Sequence, residues 1–283
     1  MDNINPKHKD RLFSFIFGRD ENKKWSLDLY NAVNNTAYIN PDDVQIFSLE
    51  NAVYMGMKND VALIIDDVLS VYEQQSTFNP NMPLRELIYT SKLYSKYIKK
   101  NKLNIYSESI IQLPIPKLVV FYNGTKNKED TVLRLSDSFL TSSSVEPDIS
   151  VNVKMININY GKNAEFLGKC KILEEYSWFI ERIRVLSDTL DVSDAVNTAL
   201  KEMPDDFALK QFLLIHKAEV TDMCITEYDE AETLKAIGNE KYAEGDSDRK
   251  AKDISLIQEM ISTGDVPEEY AKKIIEKLSM NTK

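Results

Sequence analysis

An α/β fold is predicted for this chain on three observations. Apolar residues recur at helical spacing through residues 8–34, then switch to short runs rich in Val, Ile, Leu and Tyr between residues 52 and 75. A further apolar run, Lys117-Leu-Val-Val-Phe-Tyr122, reads as a buried strand and is stopped by the Asn123-Gly124 turn signal. From residue 163 onward the helical period dominates.

Each element has a local reason. Residues 8–18 and 23–34 read as short amphipathic helices, with Leu12, Phe13 and Ile16, then Leu27, Tyr30 and Val33, on one face and Gly18 stopping the first. Asn40-Pro41 marks a loop. Residues 52–57, 60–65 and 68–75 read as three strands. Pro83 suits the first position of a helix running to Lys100, with an apolar stripe of Leu84, Leu87, Ile88, Tyr94, Tyr97 and Ile98. Strands follow at 117–122, 131–135 and 151–158, then helices at 163–187, 192–203, 206–243 (continuous or broken), 250–262 and 267–279, with polar residues 242–252 as a linker or frayed helix end. The expected division is an α/β core over 1–160, a helical extension packed on it over 161–245, and an acidic helical tail over 246–283.

Composition narrows the function. A hydrophobic content of 43 % in 283 residues suits a packed core. No apolar run reaches the ~18 residues of a membrane span, and MDNINPKHKDR lacks a signal peptide's apolar stretch, so no membrane partner and a cytoplasmic location are expected. Cys170 and Cys224 read as buried thiols in a reducing compartment, and with only His8 and His216 beside them a Cys/His zinc cluster is not expected. His216 reads as a core or rim histidine, and Trp25 and Trp178 read as core residues. Eight glycines include no phosphate-cradling loop, and no Ser-His-Asp or Cys-His arrangement can be argued. The net charge of −10 argues against a nonspecific nucleic-acid coat. It is unevenly spread: residues 85–134 carry net +6 and residues 186–283 carry net −10.

The stretch from Asp60 to Gln75 carries the chemistry. A two-residue turn at Asp66-Asp67 pairs 65 with 68, 62 with 71 and 60 with 73, so that Asp60 and Glu73 oppose each other with Cβ atoms roughly 4.5–5.5 Å apart. Gln75 then shares their face and Lys58 lies opposite Gln75. Two opposed carboxylates repel, and a divalent cation between them relieves the repulsion; Mg²⁺ (or Mn²⁺) is commonly held by one or two carboxylates with waters and phosphate oxygens. The plain alternative is a surface hairpin edge with two solvated acids, and a three-residue loop would shift the pairing by one.

Asp60 with Glu73-x-Gln75, followed by QSTFNPNMPLRELIYTSKLYSKYI, PIPKLVVFYNG, LRLSDSF and MININYG, and preceded by KDRLFSFIFG, LDLYNAVN and DVQIFSLENAVYMGMKND, resembles the Rpn (recombination-promoting nuclease)/transposase family of the PD-(D/E)XK nuclease superfamily. The resemblance spans roughly residues 8–230. It implies a restriction-endonuclease-like αβββαβ core with a helical C-terminal extension, and Mg²⁺-dependent cleavage of DNA in a bacterial cytoplasm. It implies that Asp60 and Glu73 are metal ligands and that Gln75 stands where most of the superfamily has lysine. Glutamine brings an amide but no charge, which Lys58 would supply. Asp10 best matches the family's first acid, with Glu21 as runner-up.

Arg85, Lys92, Lys96 and Lys99 lie near one face of the helix after the hairpin, interleaved with Tyr89, Tyr94 and Tyr97; they read either as DNA-phosphate contacts or as a solvated face. Arg85 and Tyr89 stand nearest the hairpin. Tyr122-Asn123-Gly124 either borders the site or is a plain turn. The rival to a nuclease is a binding module that keeps the fold but has lost catalysis, with the helical C-terminal region serving homo-oligomer or partner contact.

Overall fold

The computed structural model describes residues 11–49, 60–140, 145–229, 249–250, 252–259 and 275. The chain divides into two compact units, Met1–Tyr228 and Asp229–Lys283. In the second, residues 249–250, 252–259 and 275 are helical. The predicted strand at 52–57, Asp10 and Lys58 lie outside the described residues.

The first unit is a mixed α/β structure. Its strands are β1 (Gln45–Ile46), β2 (Val61–Ile65), β3 (Val68–Gln75), β4 (Ile115–Tyr122), β5 (Thr131–Arg134) and β6 (Asn152–Asn157), in one sheet ordered β1-β2-β3-β4-β6-β5. Its helices are α1 (Leu12–Phe17), α2 (Lys23–Asn34), α3 (Met82–Lys100), α4 (Ala164–Leu167), α5 (Lys171–Leu186), α6 (Val192–Glu202) and α7 (Ala208–Ile215). Strands β1, β2 and β3 run antiparallel in sequence order. β3, β4 and β6 are parallel, and β5 closes the far edge antiparallel to β6. A parallel neighbour needs a long crossover, and α3 supplies the one between β3 and β4.

The hairpin has the register its sequence predicts: Ile65 pairs with Val68 and Val61 with Tyr72. The turn puts Asp66 at φ 51°. Asp tolerates this left-handed conformation, and Asp66 Oδ2 accepts a 2.6 Å bond from the Tyr38 hydroxyl.

Strand side chains alternate between two covered faces. Val61, Leu63, Ile65, Tyr72, Val119, Phe121 and Ile156 join one core with α1, α2, α5, α6 and α7. Ala62, Ile64, Leu69 and Val71, with Val120, Tyr122 and Met155 alongside, face the opposite way and pack on α3. Burial on both faces explains why β2 reads as an unbroken apolar run.

Two expectations are corrected. The buried stripe of α3 is Met82, Pro83, Glu86, Tyr89, Thr90 and Leu93, whereas Leu84 is exposed; the helix packs through the 82–86–89–93 line, with Leu87, Tyr94 and Tyr97 as flanks. The helix predicted over 163–187 is two, because Cys170 is extended (φ −135°, ψ 91°) and packs into the core between them. The 206–243 helix, read as continuous or broken, is broken at His216, with residues 217–229 helical beyond it. The edge strand β1 is only two residues long and gives no periodic signal.

Among the described residues, no helix is long and apolar enough to cross a membrane.

Candidate active site at the end of the hairpin

Alternation along β3 sends Glu73 and Gln75 to the α3 face and Gln74 to the other. Asp60 immediately precedes β2, and the register that pairs Val61 with Tyr72 brings it opposite Glu73. All are buried: Asp60 is 6 % exposed, Glu73 1 % and Gln75 8 %. The hairpin therefore delivers two carboxylates and an amide to one sheltered spot, at the carboxyl end of β3, which is also the carboxyl end of its parallel neighbour β4.

The polar contacts are specific. Asp60 Oδ2 accepts the Gln74 backbone N–H at 2.7 Å, and Arg11 Nη1 donates to the Gln74 carbonyl at 3.3 Å. Gln75 Nε2 donates to Glu73 Oε1 at 3.1 Å. Arg85, on the first turn of α3, pairs with the same Oε1. The Tyr89 hydroxyl, one turn on, accepts from Arg85 Nε at 3.2 Å and Nη2 at 2.9 Å, which fixes the guanidinium plane. Glu73 Oε2 is buried with no hydrogen-bond partner among the described residues.

Burial, then the Asp60 charge, raises the Glu73 carboxyl from its ordinary value of 4.5 to about 8, against the pull of Arg85 and Arg11. Glu86, fully buried on α3, goes well above the usual carboxylate range, again through burial first and the Glu73 charge second. Both Glu86 oxygens and Thr90 Oγ1 lack partners among the described residues. The Tyr89 hydroxyl is also pushed up, mainly by burial.

The end of β4 closes in tightly. A Cβ on Gly124 would lie 2.2 Å from the Ser76 carbonyl oxygen and 2.6 Å from the Tyr122 hydroxyl, so only glycine fits where the chain leaving β4 passes the chain leaving β3. Asn123-Gly124 is thereby a turn and a neighbour of the hairpin end at once.

Of the residues singled out in the sequence, the structure brings together Asp60, Glu73, Gln75, Arg85 and Tyr89. Lys92 and Lys99 are exposed farther along α3. Lys96 Nζ donates to the Ser48 carbonyl at 2.9 Å and sits 4.9 Å above the Phe47 ring, tying α3 to the β1 edge. Glu21 is exposed and pairs with Arg19. Sequence reasoning missed Arg11, Gln74 and Glu86. Glu86 carried a signal, because a charge three and seven residues before Tyr89 and Leu93 falls on their helical stripe.

As a cation site, the donor set suits a hard divalent ion: two carboxylates on one face, with Glu73 Oε2 buried and unpartnered. Among the described residues, no group of three or more His, Cys, Asp or Glu side chains is arranged to hold a metal, and Asp60 and Glu73 are the two acids the hairpin places together. Comparison with protein-family models, curated proteins and solved structures gives no match.

Proposed function

We propose that this chain is a metal-dependent DNA endonuclease of PD-(D/E)XK type that hydrolyses phosphodiester bonds and promotes recombination or transposition. The observation that carries the reading is the juxtaposition of buried Asp60 and Glu73 across the hairpin, at the carboxyl end of parallel strands, where ligands of α/β sheets characteristically bind. The element order and the Glu73-x-Gln75 pattern agree with the family resemblance.

Asp60 and Glu73 would hold Mg²⁺ or Mn²⁺. When bound, the ion supplies Lewis acidity at a phosphoryl oxygen. The other roles belong to the chain. The Gln74 N–H orients the Asp60 carboxylate, and the Gln75 amide orients an attacking water or a phosphate oxygen. Arg85, held by Tyr89, offers a planar cation to a phosphate, and exposed Lys92 and Lys99 extend that cationic line. Asp10 and Lys58 complete the proposed set. DNA is the proposed partner, the cytoplasm the proposed location, and the helical C-terminal region the proposed surface for self-association.

A second reading is a catalytically weak DNA- or protein-binding module. It is favoured by the Arg85–Glu73 pair, in which Arg85 already occupies Oε1 of the central acid, and by glutamine in place of lysine. Plasmid nicking by purified protein decides between the two. Cleavage that requires Mg²⁺ or Mn²⁺ and vanishes in folded Asp60→Ala and Glu73→Ala proteins is expected. DNA binding without nicking would leave the second reading; unaltered cleavage in both variants would remove the site from the chemistry.

A further inference from the structure

Gln74 is held on every side. Its backbone N–H is bonded to Asp60 and its carbonyl to Arg11, and on the opposite sheet face its side-chain Nε2 donates to Asn123 Oδ1 at 2.6 Å. Gln74 and Asn123 are each 3 % exposed. Asn123 is anchored in turn. Its N–H donates to the Gln75 carbonyl at 3.1 Å, and its carbonyl accepts from Arg184, in the last turn of α5. Arg184 also pairs with Glu181 and donates to Asn159 Oδ1 at 3.3 Å. Asn159 Nδ2 donates to the Gly124 carbonyl at 3.1 Å and to Asn157 Oδ1 at 3.0 Å. A buried amide pair is costly unless satisfied, and here the pair bridges β3, which carries the candidate acids, to a turn clamped by a helix on the other face.

We propose that Asn123 is a positioning residue: its bond to Gln74, on a main chain clamped by Arg184, fixes the peptide whose N–H orients the Asp60 carboxylate. It touches neither acid and acts through residue 74. The inference rests on the reading of Asp60 and Glu73 as metal ligands, whose outer partners typically affect metal affinity by ~10–100-fold.

The test uses the full chain and two substitutions that break the bond from either side, Asn123→Leu and Gln74→Met. The conservative Asn123→Asp keeps the accepting oxygen. In metal-free protein, NMR reads the Gln74 amide proton. Wild type should show a downfield, slowly exchanging resonance, as expected for an N–H donating to a carboxylate. Both breaking variants should move it upfield and speed its exchange by more than about tenfold, and Asn123→Asp should restore it. Calorimetric titration with Mn²⁺ should show about tenfold weaker binding in the breaking variants, with the wild-type value recovered in Asn123→Asp. An unchanged Gln74 amide resonance and exchange rate in folded Asn123→Leu, or a residue-74 amide that stays slowly exchanging in folded Gln74→Met, overturns the proposal, whatever the melting temperature. A wild type that binds no Mn²⁺ would overturn the metal-site reading, and the part of the proposal that rests on it, while the amide resonance still tests the Asn123–Gln74–Asp60 coupling. Unaltered Mn²⁺ affinity in both variants, with binding intact in wild type, likewise overturns Asn123 as a positioning residue.

Discussion

The Arg85 guanidinium is ion-paired with Glu73 Oε1, the same oxygen that accepts from Gln75 Nε2 at 3.1 Å. Any cation that binds Glu73 through this oxygen competes with Arg85. Removing one member of a buried ion pair strands the other at a cost of ~3–5 kcal/mol, which is reduced if the stranded acid takes up a proton. Arg85→Met should therefore cost ~1 kcal/mol more at pH 9, above the folded Glu73 value of about 8, than at pH 5, where protonated Glu73 needs no partner. Its Mn²⁺ affinity should rise while its DNA affinity falls. Urea unfolding at the two pH values and a Mn²⁺ titration check this; a stability loss independent of pH would mean that Arg85 acts through packing alone.

Glu86 gives a second pH-dependent expectation. Folding raises the carboxyls of Glu73, to about 8, and of Glu86 from an unfolded value near 4.5. The folded chain then keeps protons that the unfolded chain releases, so stability is full below about 4.5 and declines as pH rises toward 8. Glu86→Gln keeps the shape and removes the ionisation. In EDTA it should match wild type near pH 4.5 and exceed it increasingly as pH rises toward 8, because folded wild type must keep a proton that the unfolded chain releases. Melting temperatures across a pH series read this out. A Glu86→Gln protein less stable than wild type at pH 8 would show that a bound cation or an unseen donor supports the carboxylate.

The hairpin was legible because its code is local. Two apolar runs around Asp66-Asp67 can pair in few ways, and pleat parity then sends Asp60, Glu73 and Gln75 to one face. Helix α2 was equally clear, since its apolar residues keep one period from Lys23 to Asn34. Glu86 was obscured because apolar Leu84 and Ile88 suggested a stripe rotated away from the one that packs. The Gln74–Asn123 bond joins residues 49 apart in sequence and depends on the parallel β3–β4 register, which no local pattern encodes. Lys96 read as one of a line of phosphate-binding lysines, yet it contacts Ser48 and Phe47, residues that periodicity along α3 cannot reveal.

Gln75 stands at the position where the resembling superfamily usually has lysine. It is 8 % exposed and donates to Glu73, so its replacement acts on the acid directly. Gln75→Lys should keep Mn²⁺ binding and sustain or raise cleavage, because an ammonium beside Glu73 favours its ionised form. Gln75→Ala should lower kcat by about 10²-fold with DNA affinity changed far less, as for a group that acts on the reacting water. Single-turnover cleavage and binding isotherms separate the two effects. Full turnover in Gln75→Ala would remove this residue from the mechanism.

The last expectation concerns charge. The unit Asp229–Lys283 holds 13 acidic and 9 basic residues, net −4, while residues 85–134 carry net +6. A tethered acidic unit lowers the affinity of its own chain for phosphate, most strongly at low ionic strength, and it also competes for a basic face. Its removal must spare the first unit's core. Val220, Met223 and Cys224 are buried there, and Glu227 accepts the Leu12 N–H at 2.8 Å at the start of α1, so the cut belongs after Tyr228. The shortened chain should bind nonspecific duplex DNA about threefold or more tighter at low salt, converging with full length as salt rises. Neutralising exposed Lys92 and Lys99 to Gln should flatten the dependence of log K on log salt by roughly one phosphate contact for each lysine that touches DNA. Lys96→Gln should instead lower stability, because it releases the Ser48 carbonyl and the Phe47 ring. Binding isotherms over a salt series for the four proteins decide the matter. Coincident curves for full-length and shortened chains would leave the acidic unit without influence on DNA, and unchanged slopes in Lys92→Gln/Lys99→Gln would take α3 beyond its first turns out of the interface.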